Sequence, residues 1–261
     1  MKIVVCIKQV PDTTEVKLDP KTGTLIRDGI PSIMNPDDKG GLEYALQLKD
    51  EYGAEVTVIT MGPPQADAVL REAFAMGADR AILLTSRKFA GADTLATSNA
   101  LAGALKVLDF DLVLAGRQAI DGDTAQVGPQ IAEHLGIPQV SYLEDLKFDG
   151  KKTLRIKKQL EDGYQVVEVD TPCLLTCLAS AVKPRYMSVN GIMEAWNKEV
   201  EIWDTDKIDV AEEKLGLKGS PTKVKKAGAK EMKAAGVVKD GLSAEEVAEL
   251  IIEKLKEKFI I

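Results

Sequence analysis

Four short apolar runs, at residues 3–7, 56–60, 81–85 and 112–115, punctuate the first half of the chain, and helical spacing follows each run or the turn after it. Residues 3–7 form a continuous β-branched run, as expected of a central strand covered on both faces. Leu42, Ala45, Leu46 and Lys49 then recur at helical intervals, with Asp37 or Asp38 placed to cap that helix. Residues 65–76 make an amphipathic helix closed by Gly77, residues 94–108 an Ala- and Leu-rich one behind the turn Gly91-Ala92-Asp93-Thr94, and residues 126–135 a third. Strands alternating with helices predict βαβ units and a parallel sheet flanked by helices. In such sheets ligands sit beyond the carboxyl ends of the strands. Here those ends are residues 6–9, 60–62, 85 onward and 116–123.

The pattern changes after about Val140. Residues 146–156 and 165–169 predict antiparallel strands around turns at Asp149-Gly150 and Asp162-Gly163, and residues 172–178 an apolar strand that returns to the main sheet. Residues 16–29 predict a small hairpin excursion around Asp19-Pro20-Lys21-Thr22-Gly23. From Lys198 the chain turns polar, and residues 222–230 are too basic and too small-sided to build a core. A capping box, Ser243 with Glu246, then opens a helix whose Val247, Leu250, Ile251 and Leu255 form an apolar stripe. The expected division is an α/β domain over residues 1–196 and a C-terminal arm ending in a helix over residues 197–261.

Charge narrows the partners. A net charge of −7 argues against nucleic acid, whose phosphates need a basic face. No apolar run approaches the roughly 20 residues of a membrane span, so no membrane insertion is expected. Residues 1–8 read as a first strand and not a signal peptide, which makes a cytoplasmic location the expectation. Cys6, Cys173 and Cys177 are an odd, sparse set that reads as buried structural thiols, and His134, the only histidine, reads as a helix-terminal residue. Neither a Walker lysine loop nor a Gly-x-Gly-x-x-Gly motif is present, and no nucleophile constellation or metal set stands out. What remains is a nucleotide-containing cofactor held largely by backbone, with the cofactor supplying the reactivity.

The best candidate to hold it is Gly116-Arg117-Gln118-Ala119-Ile120-Asp121-Gly122-Asp123-Thr124-Ala125-Gln126-Val127, a polar turn between a strand and a helix. Gly116 and Gly122 permit close approach, Asp123 and Thr124 can cap the helix, and its first N–H groups attract phosphate. An ordinary βα loop with a capped helix explains the same residues.

Residues 156–176, from Ile156-Lys157-Lys158 to Pro172-Cys173-Leu174-Leu175-Thr176, resemble the signature of the electron-transfer flavoprotein β subunit. Ser32-Ile33-Met34-Asn35-Pro36, Ala75-Met76-Gly77-Ala78-Asp79-Arg80, the block from Gly116 to Asp121, and Lys183-Pro184-Arg185-Tyr186 match further family blocks in order. The resemblance spans about residues 1–196 and implies an adenine-nucleotide-binding, Rossmann-like α/β domain in a heterodimer, with the arm embracing an α subunit. It implies cofactor contacts at Cys6 through its backbone, at Asn35, Pro36, Asp37, Asp38 and Met61, and along Gly116 to Val127. Family members hold AMP there as a structural ligand, or a second FAD in the electron-bifurcating group.

The N-terminal block at residues 5–12 and the block Gly91-Ala92-Asp93-Thr94-Leu95-Ala96-Thr97 resemble the bifurcating group, with Asp93, Thr94 and Thr97 beside the cofactor mouth. That resemblance implies FAD, with NADH as electron donor, ferredoxin or flavodoxin as one acceptor, and an acyl-CoA dehydrogenase reached through the α-subunit FAD as the other. NADH oxidation is then expected only in complex with the α subunit and the dehydrogenase. The alternatives are a plain electron carrier with structural AMP and a stand-alone adenine-nucleotide-binding regulatory domain. The partner-recognition loop would fall near residues 177–186, with Ala181 where many members carry an anchoring leucine.

Overall fold

A computed structural model describes residues 1–12, 31–222, 236 and 238–261, in two compact units, Met1–Ala227 and Gly228–Ile261. The hairpin expected at residues 16–29 and most of the basic stretch at 222–230 lie outside the described residues.

The first unit is built on a nine-stranded sheet with strand order β11-β5-β4-β1-β6-β10-β7-β8-β9. The central strand β1 (Lys2–Cys6) pairs in parallel with β4 (Glu55–Met61) on one side and β6 (Leu112–Gly116) on the other. Alternation sorts its side chains between two cores. Ile3 and Val5 join the face covered by α1 (Pro36–Tyr52) and α2 (Asp67–Met76); Val4 and Cys6 join the face covered by α3 (Thr94–Leu105) and α4 (Val127–Leu135). Burial on both faces is why residues 3–7 carry no polar alternation.

Chain order explains where a crevice opens. From β1 the chain crosses to β4 and then to β5 (Arg80–Leu84), and afterwards returns to the far side of β1 with β6. This reversal is the topological switch point, where the loops leaving neighbouring strands diverge. A two-stranded antiparallel pair, β2 (Gln9–Pro11) with β3 (Ser32–Met34), leads from β1 to α1.

The antiparallel excursion is confirmed, and it extends the same sheet. β7 (Gln139–Phe148), β8 (Thr153–Leu160) and β9 (Gly163–Asp170) pair antiparallel, while β10 (Cys173–Cys177) inserts in parallel between β6 and β7. Gly150 and Gly163 take positive φ at the expected turns, and Asp149 Oδ1 accepts from the N–H groups of Lys151, Lys152 and Thr153. After α5 (Val189–Ala195), β11 (Val200–Trp203) adds an edge strand beside β5, so the sheet continues past residue 196.

Two expected caps differ. Helix α1 starts on Pro36 behind Asn35, and Asp37 and Asp38 lie in its first turn with their carboxylates tied to other elements. Helix α4 starts at Val127 behind Gln126, so Asp123 and Thr124 do not cap it; Asp123 and Ala125 sit in the left-handed region at φ 49° and 53°. Helix α3 ends at Leu105, one turn before the expected Leu108.

In the second unit, α6 (Ala244–Glu257) opens with the predicted capping box: Ser243 N donates to Glu246 Oε2 at 2.7 Å and Glu246 N to Ser243 Oγ at 3.3 Å. Among the described residues no helix is long and apolar enough to cross a membrane.

Candidate functional site

The ends of β1, β4, β5 and β6 surround a cavity of about 930 Å³, whose wall includes Cys6, Met61, Thr85 and Gly116. Its floor is organised by one side chain. Asp38, buried in the first turn of α1, accepts from Gly116 N through Oδ1 at 2.9 Å and from Lys8 N through Oδ2 at 2.8 Å. One carboxylate therefore satisfies the two N–H groups left where β1 and β6 end. Burial pushes its pKa up to about 7 against the opposing hydrogen bonds from Asn35, Lys8 and Gly116. The same burial, with Asp38 nearby, pushes the Cys6 thiol up to about 12, which makes it an inert wall residue.

Asn35 shapes the loop that follows. It is fully buried; Nδ2 donates to Gln118 O at 2.8 Å and Oδ1 accepts from Ile120 N at 3.1 Å, while its own N–H donates to Lys8 O. Lys8 Nζ pairs with Asp121 at 2.7 Å, and Gln118 Nε2 donates to Asp123 Oδ1 at 2.8 Å. The loop is thus held by Lys8, past the end of β1, and by Asn35 at the entry to α1, with Gln118 and Ala119 on the cavity wall. Arg117 Nε lies 3.4 Å from Asp37 Oδ2, and neither buried atom has a hydrogen-bond partner among the described residues.

The loop delivers the chain to the start of α4. Ala125, Gln126, Val127 and Gly128 line the cavity, no side chain caps the helix, and Pro129 contributes no N–H. At Gly128 a Cβ would lie 2.6 Å from Thr176 Cγ2, so glycine lets this helix start sit against β10. Opposite, Asp93 caps α3 by accepting from Ala96 N at 3.0 Å. Its second oxygen accepts from Thr222 N at 3.0 Å and Thr222 Oγ1 at 2.8 Å, and Asp93 N donates to Ser220 Oγ. Thr94 Oγ1 bridges to Gln126 Oε1 at 2.9 Å, joining the starts of α3 and α4 across the mouth.

Of the residues expected at the site, Cys6, Asp38, Met61, Asp93, Thr94, Thr97, Gly116, Arg117, Gln118, Ala119, Gly122, Ala125, Gln126 and Val127 lie on the cavity wall. Asn35, Pro36, Asp37, Ile120, Asp121, Asp123 and Thr124 are not on the wall, though several belong to the network that shapes the loop. The wall also holds Lys8, Arg87, Phe89 and Leu101, which sequence reasoning did not single out. The available signal for Arg87 was its place just past the carboxyl end of β5.

The remaining singled-out residues fall elsewhere. The three cysteines are free and buried, and His134, in the last turn of α4, lies 3.2 Å from Ser98 Oγ. Burial, with Lys106 and Lys214 nearby, lowers the His134 pKa. Ala181 is partly buried against the core, and the exposed apolar side chains further on include Tyr186, Val189, Met193 and Trp196. Among the described residues no group of three His, Cys, Asp or Glu is arranged to hold a metal ion.

The arrangement fits a nucleotide-containing cofactor. Uncapped N–H groups at α4 suit phosphate, the loop offers backbone at close range, and the cavity has the size of a cofactor site. Known proteins agree with this geometry. The family described as the electron transfer flavoprotein domain matches residues 22–208. The electron transfer flavoprotein subunit beta of Clostridium acetobutylicum is 62% identical over 261 residues, covering 100% of both chains. The caffeyl-CoA reductase-Etf complex subunit CarD of Acetobacterium woodii is 57% identical, and the acryloyl-CoA reductase electron transfer subunit gamma of Anaerotignum propionicum 48%, each covering 100% of both chains. A domain match over most of the chain and end-to-end likeness to these proteins lead to one conclusion: the chain belongs to the electron transfer flavoprotein family, as a subunit of the β kind.

Proposed function

We propose that this chain holds FAD in the strand-end cavity and serves an electron-bifurcating flavoprotein. Its partners would be an α subunit, a ferredoxin or flavodoxin, and an acyl-CoA dehydrogenase. The observation that carries this is the reach of the cavity, which runs from the start of α4 past β1 and β4 to the end of β5, farther than a mononucleotide at Gly116 requires. Two relatives whose printed names place them with acyl-CoA-type reductases support the same reading. Bound FAD would supply hydride acceptance from NADH and one-electron transfer in two directions.

The chain's own residues would bind and orient. The N–H groups at the start of α4 would hold the pyrophosphate, while Asp38 fixes the backbone of Lys8 and Gly116 and Asn35 holds the loop's shape. Phe89, Leu101 and Ile131 line the wall with apolar surface that excludes water. Thr94 and Gln126, bridged across the mouth, close the two helix starts around the ligand. The dehydrogenase would meet the exposed apolar side chains from Tyr186 to Trp196, and the stripe of α6 would pack on the α subunit.

Flavin and nucleotide counting on the purified heterodimer tests this. Two FAD and no AMP per heterodimer is the expected result; one FAD and one AMP would make it a plain carrier.

A further inference from the structure

The loop after β5 is fixed on every side but one. Thr85 N donates to Trp203 O, and Ser86 Oγ accepts from Lys88 N across a tight turn. Phe89 is buried, Lys88 pairs with Glu212 at 2.9 Å, and Leu217 N donates to Ala90 O at 3.1 Å. Gly216 packs so tightly beneath it that a Cβ there would lie 2.1 Å from Lys88 O. Arg87 alone stands out of this frame, solvent-exposed and on the cavity wall.

Three basic residues line the cavity: Lys8, Arg87 and Arg117. Lys8 faces Asp121 and Arg117 faces Asp37, whereas no carboxylate among the described residues lies within ion-pair distance of Arg87. Of the wall's acidic residues, Asp38 and Asp93 already accept hydrogen bonds on both oxygens from the chain itself. Position also matters. Strand β5 is three strands from β6, so the two strands lie roughly 14 Å apart across the sheet. Arg87 follows β5 and the start of α4 follows β6, which puts them on opposite sides of the cavity.

We propose that Arg87 is an anion-binding residue for the distal half of a dinucleotide in this cavity, an assignment that rests on the FAD reading above. The guanidinium, held by a preorganised loop, would take negative charge at the ring edge of reduced flavin, since the second phosphate stays bonded to the first at the start of α4. The half of the ligand that AMP shares would not touch it.

The test uses the purified heterodimer with Arg87→Gln and Arg87→Lys. FAD and AMP affinities are measured on cofactor-stripped protein, and the midpoint potential of the bound flavin is measured on reloaded protein. Arg87→Gln is expected to weaken FAD about tenfold while changing AMP less than twofold, with Arg87→Lys between it and wild type. A greater loss for reduced than for oxidised FAD, seen as a lower midpoint potential, is the expected result; an equal loss for both overturns the ring assignment. Equal losses for FAD and AMP, or no loss for either, overturn the assignment while the FAD reading stands. A wild-type heterodimer that takes up AMP but not FAD overturns the FAD reading and this assignment together. Unchanged thermal unfolding of Arg87→Gln confirms that affinity, and not folding, is what moved.

Discussion

Asp38 and Gly116 are packed so closely that a β-carbon on residue 116 would lie 2.2 Å from Asp38 Oδ1. The atom it would strike is the one that accepts from Gly116 N at 2.9 Å. Glycine is required here for space, since the carboxylate occupies the volume a side chain would need. Gly116→Ala must therefore displace Asp38 and the hydrogen bonds it makes to both strand ends. The expected cost is about 1–3 kcal/mol in urea unfolding, with loss of bound nucleotide even where the protein stays folded.

The burial of Asp38 also sets a pH dependence. Its folded pKa of about 7 exceeds the ordinary carboxylate value of 3.8, so the folded state holds this proton more tightly than the unfolded chain. Its contribution to stability is complete below about pH 4 and is lost as pH rises toward 7, on the order of a few kcal/mol. Asp38→Asn cannot ionise, so unfolding free energies compared between pH 4.5 and 7.5 should fall less steeply for the variant than for wild type. Parallel slopes would show that Asp38 is ionised throughout that range.

Much of this architecture is visible in the residues themselves, for identifiable reasons. The β-branched run through Val4 and Val5 marks a strand buried on both faces, and Asp149-Gly150 and Asp162-Gly163 mark hairpin turns, because both signals are local. The partners of Asp38 are not local: Lys8 and Gly116 lie 30 and 78 positions away, and only the folded sheet brings them together. The same holds for Asp93. Its cap on α3 is readable from the next few residues, but its bond to Thr222 spans 129 positions. Strand β11 was missed because Val200-Glu201-Ile202-Trp203 is short and follows a polar segment, and edge position demands less apolar pattern.

The double role of Asp93 yields a coupling prediction. Asp93→Ala removes a cap, worth about 1 kcal/mol, and also releases Thr222. Thr222→Val removes only the hydroxyl bond and keeps the backbone N–H bond to Asp93. A double-mutant cycle on unfolding free energy should give a coupling of about 0.5–1.5 kcal/mol between the two, and additive costs would mean the link is idle.

Glu43 and Arg185 fasten the segment after β10 to α1. Glu43 is buried and accepts from Arg185 N and Nε through Oε2 at 2.9 Å and from Nη2 through Oε1 at 3.0 Å. Arg185→Ala leaves that carboxylate without its cation, at a cost of about 3 kcal/mol. Glu43→Gln with Arg185→Met should recover part of the loss in thermal unfolding, because it removes the stranded charge.

Beyond Arg185 the chain exposes Val189, at 78% of its surface, and Met193, at 68%, on the short helix α5. Side chains this exposed contribute little to folding, so their chemistry can be changed without disturbing the core. Met193→Asp should leave the unfolding midpoint and nucleotide content unchanged. If this surface meets the dehydrogenase, the same change puts an unpaired charge into an apolar interface and should weaken the complex at least tenfold by calorimetry. Asn197→Asp, exposed just past the end of α5, supplies the control for added charge alone. Equal weakening by both would assign the effect to long-range charge, whereas loss by Met193→Asp alone places the contact on the apolar residues of α5.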